Sequence, residues 1–235
     1  MIAHTPRITV IIPALNESAS ISHVIRDIPQ SMVSEIIVVD NGSIDGTADI
    51  ARQAGARVVY ESHRGYGAAC LAGIASAEKP DIIVFLDGDY SDYPDELSLL
   101  AEPIINDEAD LVIGSRMAGA NVRRVLLPQA YWGNRLATFL LRLLYGFKFT
   151  DLGPFRAIRA QSLKALGMCD RDFGWTIEMQ IKAVRQGLRI QEMPVRYRHR
   201  IGTSKISGTL TGSIKAGWKI LYTIFHYYLS GVRKY

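Results

Sequence analysis

Five short runs rich in Val and Ile alternate with four segments of helical periodicity in the first half of the chain. The runs cover residues 8–15, 35–40, 57–61, 81–87 and 110–115, and the helical segments 18–28, 45–54, 67–77 and 95–105. Near-continuous apolar strands are buried on both faces, and helices between them carry the chain across to a parallel neighbour. The pattern therefore predicts an α/β fold, a central, mostly parallel sheet flanked by helices. Asn16 or Ser18, Ser43 and Pro94 stand where helix starts are expected.

The second half is less regular. Residues 129–145 are amphipathic, with Trp132, Leu136, Phe139 or Leu140, and Leu143 on one face and Arg135 and Arg142 elsewhere. Residues 173–186 read as another helix. Residues 188–197 read as a strand whose Pro194 argues for a sheet edge. A C-terminal amphipathic helix is expected over 209–229. On it Ile214, Trp218, Leu221, Phe225 and Tyr228 recur at helical spacing, while Lys215, Lys219 and Thr223 lie off the stripe. Such a stripe suits a helix lying in a lipid headgroup region, and it equally suits packing on the core or on another subunit of an oligomer. No linker or repeat interrupts the chain, so residues 1–235 are expected to form one domain.

A formal charge of +4 is mildly basic and fits an anionic partner, whether nucleotide, phosphate or membrane surface. No helix-turn-helix or base-stacking motif supports nucleic acid. Two cysteines, Cys70 and Cys169, are too few for a disulfide framework, which points to a reducing compartment. Residues 1–7 lack the apolar region of a signal peptide, and no apolar run reaches the roughly 18 residues of a transmembrane helix.

In sheets of this class ligands collect outside the carboxyl ends of the strands. Three strands here end in polar residues: "PALNE" (13–17), "DNGS" (40–43) and "DGD" (87–89). The third opens the stretch "FLDGDYSDYPDEL", which holds Asp87, Asp89, Asp92, Asp95 and Glu96 within thirteen positions. Carboxylates so close raise one another's pKa unless a cation sits among them. Gly88 would let the backbone turn and bring Asp87 and Asp89 toward one point, where a hard divalent ion takes oxygen ligands. Asp92, Asp95 and Glu96 suit the negative charge favoured at a helix start. The segment 40–47 reads either as a turn with a helix cap or as a nucleoside contact through Asp40. "RGYG" (64–67) lacks the spacing of a phosphate loop and reads as a tight turn against a ligand. Arg116, Arg123, Arg124, Arg135, Arg156, Arg198, Arg200 and Lys205 give the later half a basic bias suited to a diphosphate clamp.

Taken in order, "TVIIPALNE", "VVDNGSIDGTADIA", "HRGYGAACLAGI", "FLDGDYSDYPDEL", "LVIGSR", "DLGPFRAIR", "GWTIEMQIKA" and "RIGTSKISGT" resemble the family-2 inverting glycosyltransferases of GT-A fold. The resemblance lies nearest the dolichyl-phosphate mannose synthase and polyprenyl-phosphate glucosyltransferase branch. It implies transfer of a hexose from a nucleotide sugar, GDP-mannose or UDP-glucose in type, to a polyprenyl or dolichyl phosphate. Pro13, Leu15, Glu17 and Asp40 match positions that hold the donor nucleoside, although Leu15 replaces an aromatic common in the mannose synthases. Asp87, Gly88 and Asp89 match the motif that holds Mg²⁺ or Mn²⁺, with Ser91 where a Gln often assists the metal. Arg116 and Arg135 match positions that meet an acceptor phosphate. Arg200 and Lys205 match a mobile loop, residues 200–207 here, that closes over the diphosphate. Asn41 stands where a second Asp is usual, and "DLGPFR" replaces the more usual "TSGFR".

A phosphate acceptor is largely dianionic at neutral pH, with a second pKa near ~6, and needs no base. A hydroxyl acceptor would require one, for which Glu178 or Asp151 is the candidate. A non-catalytic nucleotide-sugar-binding module is the remaining alternative. The expected location is the cytoplasm, peripherally on the cytoplasmic face of a membrane.

Overall fold

The computed structural model describes residues 5–118, 125–202 and 210–231. Seven strands form one sheet: β1 (Ile8–Ala14), β2 (Glu35–Asp40), β3 (Arg57–Tyr60), β4 (Ile82–Phe85), β5 (Leu111–Ser115), β6 (Arg156–Arg159) and β7 (Ile190–Pro194), in the order β3-β2-β1-β4-β6-β5-β7. All neighbours run parallel except β6, which is antiparallel to both β4 and β5. The expected mostly parallel sheet is present, and Pro194 lies on an edge strand as its missing N–H requires.

One sheet face carries Val10, Ile12, Val38, Val84 and Val112 and is covered by α1 (Ile21–Asp27), α2 (Thr47–Gln53) and α4 (Leu97–Ile105). The other carries Ile11, Ile37, Val39, Phe85 and Ile113. It is covered by α3 (Tyr66–Ser76), α5 (Pro128–Tyr145), α6 (Ala160–Leu166), α7 (Trp175–Arg185) and α8 (Leu210–Leu229). Alternate residues of one strand thus enter different cores, which is why the strands read as continuous apolar runs. Each fully buried Ile, Val, Leu or Phe contributes about 1.5–3 kcal/mol.

Neither Asn16, Ser18 nor Ser43 caps a helix. The residues before α1 and α2 are Ser20 and Gly46, without a side-chain capping bond. Asn16 and Ser43 instead stitch two loops together: the Asn16 N–H donates to Ser43 Oγ (2.9 Å), and the Ile44 N–H donates to Asn16 Oδ1 (2.9 Å). A third tie, Glu17 N–H to Thr47 Oγ1 at 2.9 Å, fixes the end of β1 against α2.

The stripe on α5 faces outward. Trp132 (67% exposed), Leu136, Phe139 and Leu143 (65%) are exposed, while Tyr131, Asn134, Ala137 and Leu141 are buried and Leu140 packs inward. On α8, Ile214, Trp218 (71%), Tyr222, Phe225, Tyr228 and Leu229 are exposed; Thr223 and Ile224 are buried. Leu221 is half-buried, so Tyr222 takes the place expected for it on the outer stripe. The two helices touch, the Tyr145 hydroxyl donating to the Ile224 carbonyl (2.6 Å). Among the described residues no helix is long and apolar enough to cross a membrane.

Candidate active site

The chain moves outward from β1 through β2 to β3, then returns to the other side of β1 as β4. The carboxyl ends of β1 and β4 therefore flank a topological switch point, where open α/β sheets bind ligands. A cavity of about 440 Å³ lies there. Pro13 of β1, Leu15 and Glu17 just beyond it, Asp87, Gly88 and Asp89 from the loop after β4, and Arg200 line it, with Asn41, Arg64, Tyr66, Asp172, Phe173 and Lys215. Seven positions expected from the sequence thus converge on one space. Asp40 does not line it: one carboxylate oxygen accepts from the Ser43 N–H (2.8 Å).

Asn41 takes the wall position beside Asp40. Its amide donates to the carbonyls of Glu61 (2.9 Å) and His63 (2.8 Å), and its oxygen accepts from the Gly65 N–H (2.8 Å). An Asp could not make the two donations, so the amide is what holds the loop after β3 to the end of β2. Gly65 and Gly67 serve a close backbone approach. A Cβ at either would fall 2.1 Å from a carbonyl oxygen, of Arg171 and Asp170 respectively. "RGYG" therefore turns against the 170–171 backbone as well as lining the cavity.

At the acidic stretch, burial drives Asp87 up to about 7, and the charge of Asp89 adds to the effect. Asp89 Oδ1 accepts from both the N–H (2.9 Å) and the hydroxyl (2.6 Å) of Ser91. Ser91 is buried, so the structure puts it behind Asp89, aiming that carboxylate, rather than on the open side. Gly88 is not the strained residue of the turn. It lacks a positive φ, and a Cβ there would make only ordinary contact, 3.4 Å from the Pro13 oxygen. The left-handed position is Tyr90, at φ 65°.

Asp92 departs from its expected part as a helix-start charge. It is buried, both carboxylate oxygens lack a hydrogen-bond partner, and burial followed by the charges of Asp87 and Asp89 raises its pKa. Asp95 and Glu96 pair instead with Arg196, at 2.6 and 2.5 Å.

Arg196, Arg198 and Arg200 alternate along the segment after β7, and the segment lies against the acidic loop. The Arg198 N–H donates to the Ser91 carbonyl (3.0 Å) and the Ile201 N–H to the Asp89 carbonyl (2.9 Å). Alternation places the three guanidinium groups on one side of an extended chain. Arg198 lies over the rings of Tyr90 (3.3 Å) and Tyr93 (4.2 Å), and Arg200 reaches Asp89 and Glu17. The sequence signal was this spacing of three Arg residues.

A divalent cation suits this donor set. Asp92 has two orphaned buried oxygens, and burial together with the charge of Asp89 raises the pKa of Asp87 to about 7 despite Arg116 and Arg200, a burden that a cation at the site would relieve. Among the described residues no three His, Cys, Asp or Glu side chains form a ready cage.

Arg116 and Arg135 do not line the cavity. Arg116 is bound to Asp151 by three bonds, from its N–H (2.8 Å), Nε (2.8 Å) and Nη2 (2.7 Å). Arg135 is exposed on α5, its guanidinium 5.9 Å from the Tyr131 ring. Arg156 is wholly buried, donating to the carbonyls of Leu152, Gly153 and Thr176; burial lowers its pKa to about 10. It braces a turn and takes no part in a clamp. Lys205, Arg123, Arg124 and most of the expected mobile loop lie outside the described residues.

The two base candidates are occupied. Asp151 is the partner of Arg116. Glu178 is wholly buried and accepts from the N–H groups of Cys169 and Asp170, the Cys169 thiol, the Tyr227 hydroxyl (2.7 Å) and Lys182 (2.8 Å). Burial works against its charge, but these donors prevail and its pKa is lowered.

Residues 9–167 match the family model described as glycosyl transferase family 2. The chain belongs to that family. An uncharacterized glycosyltransferase of Mycobacterium tuberculosis is 37% identical over 219 residues, 91% of this chain and 97% of the relative. An undecaprenyl-phosphate mannosyltransferase of Micrococcus luteus is 33% identical over 224 residues, 88% and 90% of the two chains. Among solved structures, glucosyl-3-phosphoglycerate synthase of Mycobacterium tuberculosis, in complex with Mn²⁺, UDP and glucosyl-3-phosphoglycerate, superposes with TM-score 0.77 at 25% identity. The match covers 94% of this chain and 79% of that one. The glycosyltransferase described here has the GT-A fold.

Proposed function

We propose that this glycosyltransferase moves a hexose from a nucleotide diphosphate sugar to a polyprenyl phosphate at a membrane surface. Asp87 and Asp89 hold the Mg²⁺ or Mn²⁺ that such a donor brings. The carrying observation is a cavity lined by Asp87 and Asp89 and by Arg64, Arg200 and Lys215, the last of these from a helix with an exposed apolar stripe. Pro13, Leu15 and Glu17 stand against the nucleoside, Ser91 and Arg200 flank the carboxylates, and Lys205 follows on the same segment. Held by those carboxylates, the cation would supply positive charge to the departing diphosphate. Arg200 adds a second positive charge aimed at the same oxygens once it releases Asp89. The acceptor phosphate attacks the anomeric carbon directly, inverting it. Arg116 and Arg135 act from outside the cavity, Arg116 by fixing the 150–153 turn and Arg135 by meeting anionic lipid.

Transfer to a hydroxyl is the second reading, and it is favoured by the glucosyl-3-phosphoglycerate in the structural neighbour's complex, a glucoside whose phosphate belongs to the glycerate. It needs a general base, and both candidates are engaged and absent from the cavity wall.

The test screens nucleotide sugars against a short-chain polyprenyl phosphate with Mn²⁺ or Mg²⁺. Transfer should stop in excess EDTA, and Asp89→Ala should remove it while the circular dichroism spectrum stays native. Undiminished transfer in EDTA would overturn the metal assignment.

A further inference from the structure

Helix α8 sends two lysines, one turn apart, toward the cavity side of the molecule, and they are used differently. Lys219 is consumed by the fold, its ammonium 2.9 Å from Asp170. Lys215 is exposed, lines the cavity, and makes no ion pair among the described residues. Asp172 shares that rim without pairing with it.

The helix that carries Lys215 is anchored to the core one turn on, at Lys219, and along its later part. Thr223 and Ile224 are buried, the Tyr227 hydroxyl donates to Glu178, and Arg185 donates to the Tyr227 carbonyl. A side chain presented by an anchored helix is placed more closely than one on a loop. Ile214 and Trp218, beside Lys215 on the helical surface, are 63% and 71% exposed. Lys215 thus stands on the border between the apolar stripe and the cavity. When such a stripe enters the acyl boundary, a lysine on its border reaches the level of the lipid phosphates. On the reading proposed above, the donor diphosphate would be met instead by Arg200 and by a cation at Asp87 and Asp89. An ammonium is a compact point charge with three rotatable donors, suited to a phosphate monoester that must arrive and reorient.

We propose that Lys215 binds the phosphate of a membrane-borne acceptor and hands it to the donor cavity. This rests on the polyprenyl phosphate reading above. The ligand chemistry is a phosphate oxygen, and the rival source of that oxygen is the donor diphosphate.

The test compares wild type, Lys215→Ala and Lys215→Arg in two measurements. One is initial rates with a short polyprenyl phosphate in detergent; the other is calorimetric binding of UDP and of GDP with Mn²⁺. In Lys215→Ala the acceptor KM should rise about tenfold, the effect of losing one charge-assisted hydrogen bond. The nucleotide Kd should stay within about twofold of wild type, and Lys215→Arg should restore most of the KM. An unchanged KM overturns the assignment. Weakened nucleotide binding with an unchanged KM gives Lys215 to the donor instead. If wild type itself transfers to no polyprenyl phosphate, the underlying reading has failed and the assignment falls with it. That outcome is seen before any variant is made.

Discussion

Arg200 Nη1 lies 3.1 Å from Asp89 Oδ2. The second terminal nitrogen lies 3.1 Å from Glu17 Oε1, so one guanidinium ties the end of β1 to the end of β4 across the cavity. It occupies an oxygen of the carboxylate proposed for the metal, and the two cations must compete for it. Arg200→Ala should therefore tighten Mn²⁺ binding in the absence of nucleotide by roughly fivefold, the worth of about 1 kcal/mol for a part-exposed ion pair. Sugar transfer should fall about 100-fold or more, because the departing diphosphate loses a fixed positive charge. Electron paramagnetic resonance titration reads the first effect and initial rates the second. Weaker Mn²⁺ binding in the variant would show that Arg200 supports the ion rather than competing with it.

The exposed faces of α5 and α8 predict partition onto lipid. Burying one large aromatic side chain contributes about 1.5–3 kcal/mol. Trp218→Ala with Phe225→Ala should reduce binding to anionic vesicles at least tenfold, as should Trp132→Ala with Phe139→Ala on α5. Arg135→Ala should weaken vesicle binding less, and the deficit should vanish in high salt as screening grows. Co-sedimentation measures all three. Equal binding by wild type and both double variants would remove the two faces from the membrane contact.

Glu178 is expected to hold the molecule together, not to catalyse. Replacing it with Gln keeps the size and removes the charge that Lys182 and the 169–170 backbone require, and breaking a buried pair costs about 3–5 kcal/mol. The lowered pKa sets the pH dependence of that loss. Glu178 stabilises the fold fully above the unfolded value near 4.5, and the contribution fades as pH falls below it toward the folded value. Urea midpoints of wild type and Glu178→Gln should differ most at pH 6–7 and converge in acid. The variant should keep its kcat wherever it is folded. A large loss of kcat in a protein of unchanged stability would instead make Glu178 the base.

Where local pattern and tertiary packing agreed, the sequence was readable. Val- and Ile-rich runs located β1 to β5 to within about two residues because both sheet faces are covered, and Pro194 marked an edge because a missing N–H is a purely local fact. β6 escaped notice because "RAIR" has Arg at both ends, and Arg156 is buried only by virtue of carbonyls supplied by residues 152, 153 and 176. The carboxylates at the strand ends were legible as a site, since topology fixes where such ends meet. Asp92 was not, because its burial depends on the segment 196–201 folding over it. The amide of Asn41 and the ammonium of Lys215 were missed for a similar reason. Each belongs to the site through an element whose path the sequence does not state.

The reversed strand β6 has a consequence for how the chain can be made. On a ribosome the parallel set β3-β2-β1-β4 can assemble once residue 85 has emerged, leaving the far edge of β4 bare. β5 appears next with nothing to pair with, because both of its neighbours, β6 and β7, lie downstream. From residue 115 until residue 156 the nascent protein carries an open β4 edge and a loose Leu111–Ser115 segment, the kind of surface that recruits other chains. A ribosome stalled in that interval holds an aggregation-prone intermediate. The arrival of four residues, Arg156–Arg159, covers the edge of β4 and one edge of β5 in one step, and the other edge of β5 stays open until Ile190–Pro194 pairs with it.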